Sequence, residues 1–309
     1  MREWKVKYRE HQPHSSLQDH VKCFWTMECE YSPEHPAEDV TPDAFIELIV
    51  NLGAPYVLQT KGAPDREMPR AILVGLQKKP LLFRCEGTVK LVATRFHAWG
   101  ALPFLADQAQ GLGNLATTLG QEWDDLATRL EPAVRADDYA AAVAIMEDHL
   151  IERLLTATVD AKKIRAAAQM LHLQKGQFRM TELAEHCGLS SRQLQRQFRD
   201  VVGISGKALA RSIRFEAIRK QLMFDPDQSL TALAHEHGYT DQAHFIRDFK
   251  QFADRTPGEF AREMRSIQDI FRDRDNVVFL QVPSTGHRYT GRETDRSNGR
   301  HDNEQRQDR

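Results

Sequence analysis

From about Trp4 to Phe96 the apolar positions come in short runs broken by turn formers. Phe45 to Leu52 is rich in β-branched residues and stops at Gly53-Ala54-Pro55; Ala71 to Gly75, Leu81 to Phe83 and Lys90 to Phe96 repeat the pattern. Gly62, Pro64, Pro69, Pro80 and Gly87 separate them, as such residues do between strands. Short strands with no helices between them predict an antiparallel sandwich or barrel. After Leu102 the texture changes. Asp124 to Leu130 and Tyr139 to Leu155 place apolar residues at helical spacing, and the second run reads as a connector helix or a dimer contact. From 160 to 265 the chain reads as helices almost throughout. Asn276 to Val282 reads as one more strand. From Pro283 onward Tyr289 is the single large apolar residue, too little to offset chain entropy, so disorder is expected there.

The helical region contains an internal repeat. Met180 to Ser190 and Leu230 to Thr240 both read Leu-Ala-x-x-x-Gly, then an apolar and a hydroxyl residue. The pattern suits a helix-turn-helix. Ala184 or Ala234 permits close helix crossing, Gly188 or Gly238 takes the positive φ that ends the first helix, and Ser190 or Thr240 can cap the next. Each turn leads into an amphipathic helix, with Leu194 and Phe198 inward in the first copy and Phe245, Phe249 and Phe252 in the second. Aligning these anchors sets Arg196 opposite Arg247 and Arg199 opposite Lys250. Arg192, Gln195, Arg196 and Arg199 then share one exposed stripe, and Ala243, His244, Arg247 and Lys250 share another. Arginine and glutamine are suited to bidentate contact with guanine and adenine edges in the major groove.

Charge sharpens the division. The net charge of −2 over 309 residues hides −7 in residues 1–159, +5 in 160–265 and zero in 266–309, so a polyanion is expected to bind the basic part. Apolar residues at 41% and charged ones at 28% fit globular domains, and the length suits about two of them. No apolar run reaches membrane-span length, and Met1 to Lys7 holds no signal core. Four scattered cysteines, Cys23, Cys29, Cys85 and Cys187, make no disulfide scaffold, which points to a reducing, cytoplasmic setting.

The run Gly238 to Lys250, followed by Thr256-Pro257-Gly258-Glu259-Phe260, resembles the second-motif signature of AraC/XylS-family transcriptional regulators, and Leu189 to Phe198 resembles that family's first motif. The likeness spans about residues 165–265. It implies seven helices, with two helix-turn-helix units held by a linker helix from Lys207 to Phe224, and recognition helices in successive major grooves about 34 Å apart. Carried over by position, the family's base-reading places fall on Arg192, Gln195 and Arg196, and on Gln242, Ala243, His244 and Arg247; Ser191, Arg199 and Lys250 complete the expected DNA-binding set. Ala243 offers only methyl contact, so the second helix should read fewer bases or act mainly on phosphates. Gly206 stands where the family usually has proline, which predicts a looser entry to the linker helix. Asp254 replaces a usual glycine, a mild change because aspartate tolerates the left-handed conformation.

Residues 1–155 resemble a little-characterised β-rich domain that accompanies this DNA-binding module, through Val21 to Trp25, Thr41-Pro42-Asp43, Glu47 to Ile49, Val74 to Gln77 and Arg95 to Gly100. Such domains sense an effector or dimerise. Asp43, Glu47 and Arg95 are the candidate polar residues of an effector pocket, with Trp25 and Trp99 as its walls. The plainer alternative has Asp43 and Glu47 making turns or pairing with Arg95 on the surface. His11, His14, His20, Cys23, Cys29 and His35 lack metal-ligand spacing, and His235-Glu236-His237 suits a packed or solvated role, so no metal and no cofactor is expected. Some proteins join this module to a cysteine alkyl acceptor that repairs DNA; that chemistry needs an activated thiolate, and no cysteine here sits in a reactive motif. No Walker loop, Rossmann fingerprint or nucleophile elbow is present, so no catalytic residue is assigned.

The expected fold class is therefore α+β. A β-rich N-terminal barrel or sandwich domain with trailing helices covers 1–135, and a helical connector covers 136–160. An all-α double helix-turn-helix domain follows over 161–265, then an extension over 266–309. The expected partners are double-stranded promoter DNA, a small-molecule effector, RNA polymerase if the chain activates, and a second copy in a homodimer, with no membrane. The alternatives are the alkyl-acceptor enzyme and a regulator whose N-terminal domain only oligomerises.

Overall fold

The computed structural model describes residues 6–60, 62–105, 116–157 and 161–266; the strand expected over 276–282 and the tail from 283 lie outside the described residues. Two antiparallel sheets form the N-terminal unit. The larger pairs β1 (Val6–His11), β2 (Val21–Tyr31), β9 (Gly87–His97), β4 (Phe45–Asn51), β7 (Ala71–Val74) and β10 (Ala116–Thr118) in that spatial order. The smaller runs β3 (Glu38–Val40), β8 (Leu81–Arg84), β5 (Val57–Gln59) and β6 (Arg66–Glu67). Among the described residues neither sheet closes on itself, so of the two expected forms the sandwich is the one observed.

Alternation along the strands builds two cores. One face of the large sheet sends Cys23, Trp25, Ile72 and Leu91 against Leu58, Leu81 and Phe83 of the small sheet. The opposite face, through Phe24, Ile46, Leu48, Leu73 and Phe96, packs under two helices, α1 (Gln121–Arg135) and α2 (Tyr139–Thr156). Trp123, Leu126, Leu130, Met146 and Leu150 supply their buried stripes. Asp138 caps α2, accepting from the Ala141 amide at 3.0 Å. The helix lies along α1 and over β2 and β9.

The C-terminal region has seven described helices: α3 (Lys162–Leu173), α4 (Met180–His186), α5 (Ser191–Val202), α6 (Gly206–Phe224), α7 (Leu230–Glu236), α8 (Gln242–Ala253) and α9 (Pro257–Ser266). The long α6 belongs to both of its halves. Its first half buries Leu209 and Ile213 with Ile164, Leu183, Leu194 and Phe198, in an apolar cluster continuous with the large sheet and α1–α2. Its second half buries Phe215, Ile218 and Leu222 with Leu233, Phe245, Phe249 and Phe260 in a separate cluster. The N-terminal unit touches both halves. Trp99 meets His172 of α3 edge-on at 5.4 Å, Arg165 of α3 pairs with Asp19, and Arg255, after α8, pairs with Asp39 of β3.

Candidate nucleic-acid interface

The two repeats fold alike. In each, the short first helix ends at a glycine of positive φ, 61° for Gly188 and 73° for Gly238. The next amide then closes on the crossing alanine's carbonyl, Leu189 to Ala184 and Tyr239 to Ala234, both at 2.9 Å. Ala184 and Ala234 are buried as close crossing requires.

The caps differ. Ser190 begins α5 with a reciprocal capping box: its hydroxyl accepts from the Gln193 amide, and the Gln193 side chain accepts from the Ser190 amide at 2.9 Å. In the second copy Thr240 is not the cap. Asp241 accepts from the His244 amide at 2.7 Å instead, because this turn is one residue longer. That extra residue explains why glycines 50 positions apart lead into anchors 51 apart, Phe198 and Phe249. Asp254 closes α8 with φ of 56°, the left-handed conformation expected of it. Gly206 opens α6 in a tight place, since a Cβ there would lie 3.0 Å from the Phe198 ring, and Ser205 caps the helix through the Ala208 amide.

Burial of Leu194, Phe198, Val201 and Val202 leaves Ser191, Arg192, Gln195, Arg196 and Arg199 exposed on α5. Burial of Phe245, Asp248, Phe249 and Phe252 leaves Gln242, Ala243, His244, Arg247 and Lys250 exposed on α8. None of Arg192, Arg196, Arg199, Arg247 and Lys250 pairs with a carboxylate among the described residues, whereas Arg211, Arg219, Arg255 and Arg265 all do. The two stripes are thus cationic and open. The geometry of α8 is set from behind. Buried Asp248 accepts from Arg211 Nε at 2.7 Å and from the Tyr239 hydroxyl at 2.7 Å, which joins α8 to α6. His237 is fully buried; burial lowers its pKa to about 4, and its neutral ring donates from Nε2 to Gln221 at 2.7 Å. His235 is exposed.

The five N-terminal candidates do not form one group. Glu47 and Arg95 face each other across β4 and β9. Arg95 Nε donates to Glu47 at 2.6 Å, and the Trp25 indole donates to the other carboxylate oxygen at 2.8 Å. The pair is buried, at 5% and 1% exposure, so the surface pairing weighed from the sequence does not occur. Burial pushes Glu47 up to about 7, against the pull of Arg95. Asp43 accepts from the Phe45 amide in a local turn and lies close enough to Arg95 and Glu47 for its charge to act on both. Trp99 is elsewhere: it belongs to the helix-facing core, whereas Trp25 belongs to the core between the sheets. It stacks on His97 at 4.6 Å and donates to the Asp19 carbonyl. Tyr8 and Glu10, which the sequence did not single out, join the Arg95 cluster from β1, with the Tyr8 hydroxyl donating to Glu10 at 2.8 Å. Burial holds Cys23 and Cys29 up to about 12 and Cys85 to about 11, so all three are neutral thiols at neutral pH.

Residues 183–263 match the family model of a helix-turn-helix domain. With its paired turns and long linking helix, this is a helix-turn-helix domain of the AraC/XylS type. Ahead of the AraC-type domain, residues 9–117 match a domain of unknown function (DUF6597). An uncharacterized HTH-type transcriptional regulator of Staphylococcus aureus is 26% identical over 108 residues, which cover 33% of this chain and 14% of the relative. One of Haemophilus influenzae is 25% identical over 126 residues, covering 41% of this chain and 42% of the relative. The matched part of this chain therefore spans about one seventh of the Staphylococcus protein's length. Among solved structures, ToxT from Vibrio cholerae aligns with a TM-score of 0.43 and 9% identity, over 84% of this chain and 98% of that one. No described helix is long and apolar enough to cross a membrane.

Proposed function

We propose that this chain is a cytoplasmic, sequence-specific transcriptional regulator that reads promoter DNA with α5 and α8. The observation that carries the reading is the pair of open cationic stripes, presented by equivalent helices of two equivalent units. Arg192, Gln195 and Arg196 read base edges from α5. On α8, Gln242, His244 and Arg247 read fewer positions beside the methyl of Ala243. Ser191, Arg199 and Lys250 hold the phosphate backbone and set register. The N-terminal sandwich responds to a small-molecule effector and alters how the two helices are presented. Its contacts with both halves of the AraC-type domain, through Trp99 and His172 and through Asp39 and Arg255, support that coupling.

Selection of bound sequences from a random duplex pool by the full chain tests the reading. Enrichment of a two-part site with centres about one helical turn apart is expected, and no enrichment over random competitor at physiological salt refutes it. On the selected site, Arg196→Ala should cost about 1–3 kcal/mol and relax one base position, while Lys250→Ala should weaken all sequences alike and flatten the salt dependence.

A further inference from the structure

Between the two halves of the AraC-type domain lies a cleft of about 510 Å³. Helix α6 contributes Lys207, Arg211 and Arg214, α8 contributes His244 and Arg247, and Met180 at the start of α4 faces them. Four of these side chains are permanent or near-permanent cations. The one carboxylate in the lining, Asp248, is already engaged by Arg211 and Tyr239.

Folding accounts for Arg211, which Asp248 and Gln251 hold, but not for the rest of this charge. Lys207 stands in the first turn of α6, where a cation opposes the helix macrodipole, and no carboxylate pairs with it among the described residues. Arg214 is fixed in place, donating from Nη2 to the Gly176 carbonyl at 3.0 Å with its guanidinium 5.1 Å over the Tyr239 ring. Its Nε is buried without a hydrogen-bond partner among the described residues. Like charges gathered in one cleft repel, and a bound anion relieves them. His244 and Arg247 belong both to this lining and to the exposed stripe of α8, so the cleft opens on the face that presents the stripe.

We propose that this cleft seats a phosphodiester segment of the DNA backbone between the two grooves that α5 and α8 enter. The proposal rests on the DNA-binding reading, and its chemistry is phosphate recognition by Lys207 with Arg214 beside it, neither of which is in the base-reading set.

The test uses the full chain and a duplex of about 25 bp of arbitrary sequence, long enough for both helices, with affinity followed as salt is raised. Lys207→Gln keeps helix propensity and removes the charge; Lys207→Arg keeps the charge. One lost phosphate contact lowers the log–log salt slope by about 0.9. Between about 50 and about 200 mM salt the wild-type chain should therefore lose about 3.5-fold more affinity than Lys207→Gln, and Lys207→Arg should match wild type. An unchanged slope in Lys207→Gln overturns the proposal, as does a loss confined to one base position of a selected site. Calorimetric titration of the DNA-free chain with inorganic phosphate separates the two sources of the anion. No saturable heat is expected, and saturable submillimolar binding that Lys207→Gln abolishes would assign the cleft to a free anion instead. A slope change on arbitrary duplex without any selected sequence would uphold the cleft and remove the sequence-specific reading. A selected sequence without a slope change would do the reverse.

Discussion

Replacing Asp248 by alanine removes the acceptor shared by Arg211 and Tyr239 behind the second recognition helix. In the native protein the carboxylate is 5% exposed and takes hydrogen bonds from Arg211 Nε at 2.7 Å and from the Tyr239 hydroxyl at 2.7 Å. A hydrogen bond to a charged group contributes about 1.5–3 kcal/mol, and a buried donor left alone loses it in full. The Tyr239 hydroxyl is such a donor. Arg211 is about one-third exposed and regains water, so its share is discounted to about 1 kcal/mol. Asp248→Ala should then cost about 2.5–4 kcal/mol, and Tyr239→Phe about 1.5–2 kcal/mol. Once Tyr239→Phe is in place there is no hydroxyl to strand, so the double-mutant cycle should show a coupling of about 1–2 kcal/mol. Urea denaturation followed by far-ultraviolet circular dichroism is the suitable assay, because Trp25, Trp99 and Trp123 all lie outside this half of the protein. A loss below about 1 kcal/mol for Asp248→Ala, or strict additivity in the cycle, would show that Asp248 does not hold α8 to α6.

Acid should loosen the seam between the two domains. Burial lowers both His97 and His172 to about 4, helped by Lys22 and His20 at the first ring and by His97 and Lys220 at the second. A folded pKa below the unfolded value of about 6.5 means stability is complete above pH ~6.5 and is lost as pH falls toward ~4, by about 3 kcal/mol per ring. Glu47, held up to about 7, contributes the opposite slope, so the measurement is the difference in denaturation midpoint between wild type and His172→Gln, which should shrink on acidification. A constant difference from neutral pH to about pH 4.5 would contradict the histidine argument. Two glycines of similar φ should respond unequally to alanine. Gly188 has open space around it, and its replacement costs only backbone strain, about 1–2 kcal/mol. At Gly176 the new Cβ would lie 2.2 Å from the Ala210 carbonyl oxygen, so the loss should exceed about 3 kcal/mol, and equal thermal shifts for the two variants would contradict it.

The helix-turn-helix half is legible because its signals are local. An alanine at a crossing, a glycine past a helix end and aromatic residues four apart each state their role within a dozen residues, and the structure places all of them accordingly. Thr240 misleads because one extra residue in the turn moves the cap to Asp241, a shift that a repeat aligned on its glycines cannot show. In the N-terminal half, β2 buries residues on both faces under a second sheet and a helix, so Val21 to Tyr31 lacks clean alternation. The strands β3, β5 and β6 have two or three residues each, below any periodic signal. Trp25 and Trp99 share a residue type, yet the sheet separates them into different cores. Arg211 and Arg214 acquire their meaning from α8, which reaches them only when the chain has folded.

The unbroken apolar cluster that runs from the large sheet through α1 and α2 into α3–α6 has a practical corollary. A fragment begun at α3 would carry away one wall of a shared interior, leaving side chains such as His172 facing solvent where Trp99 had covered them. The second half of the AraC-type domain keeps an interior of its own. Dissection of this protein should therefore yield a soluble piece more readily when the second half of the linking helix is kept with the helices that follow it than when the cut falls at the apparent border between the strand-rich and helical parts.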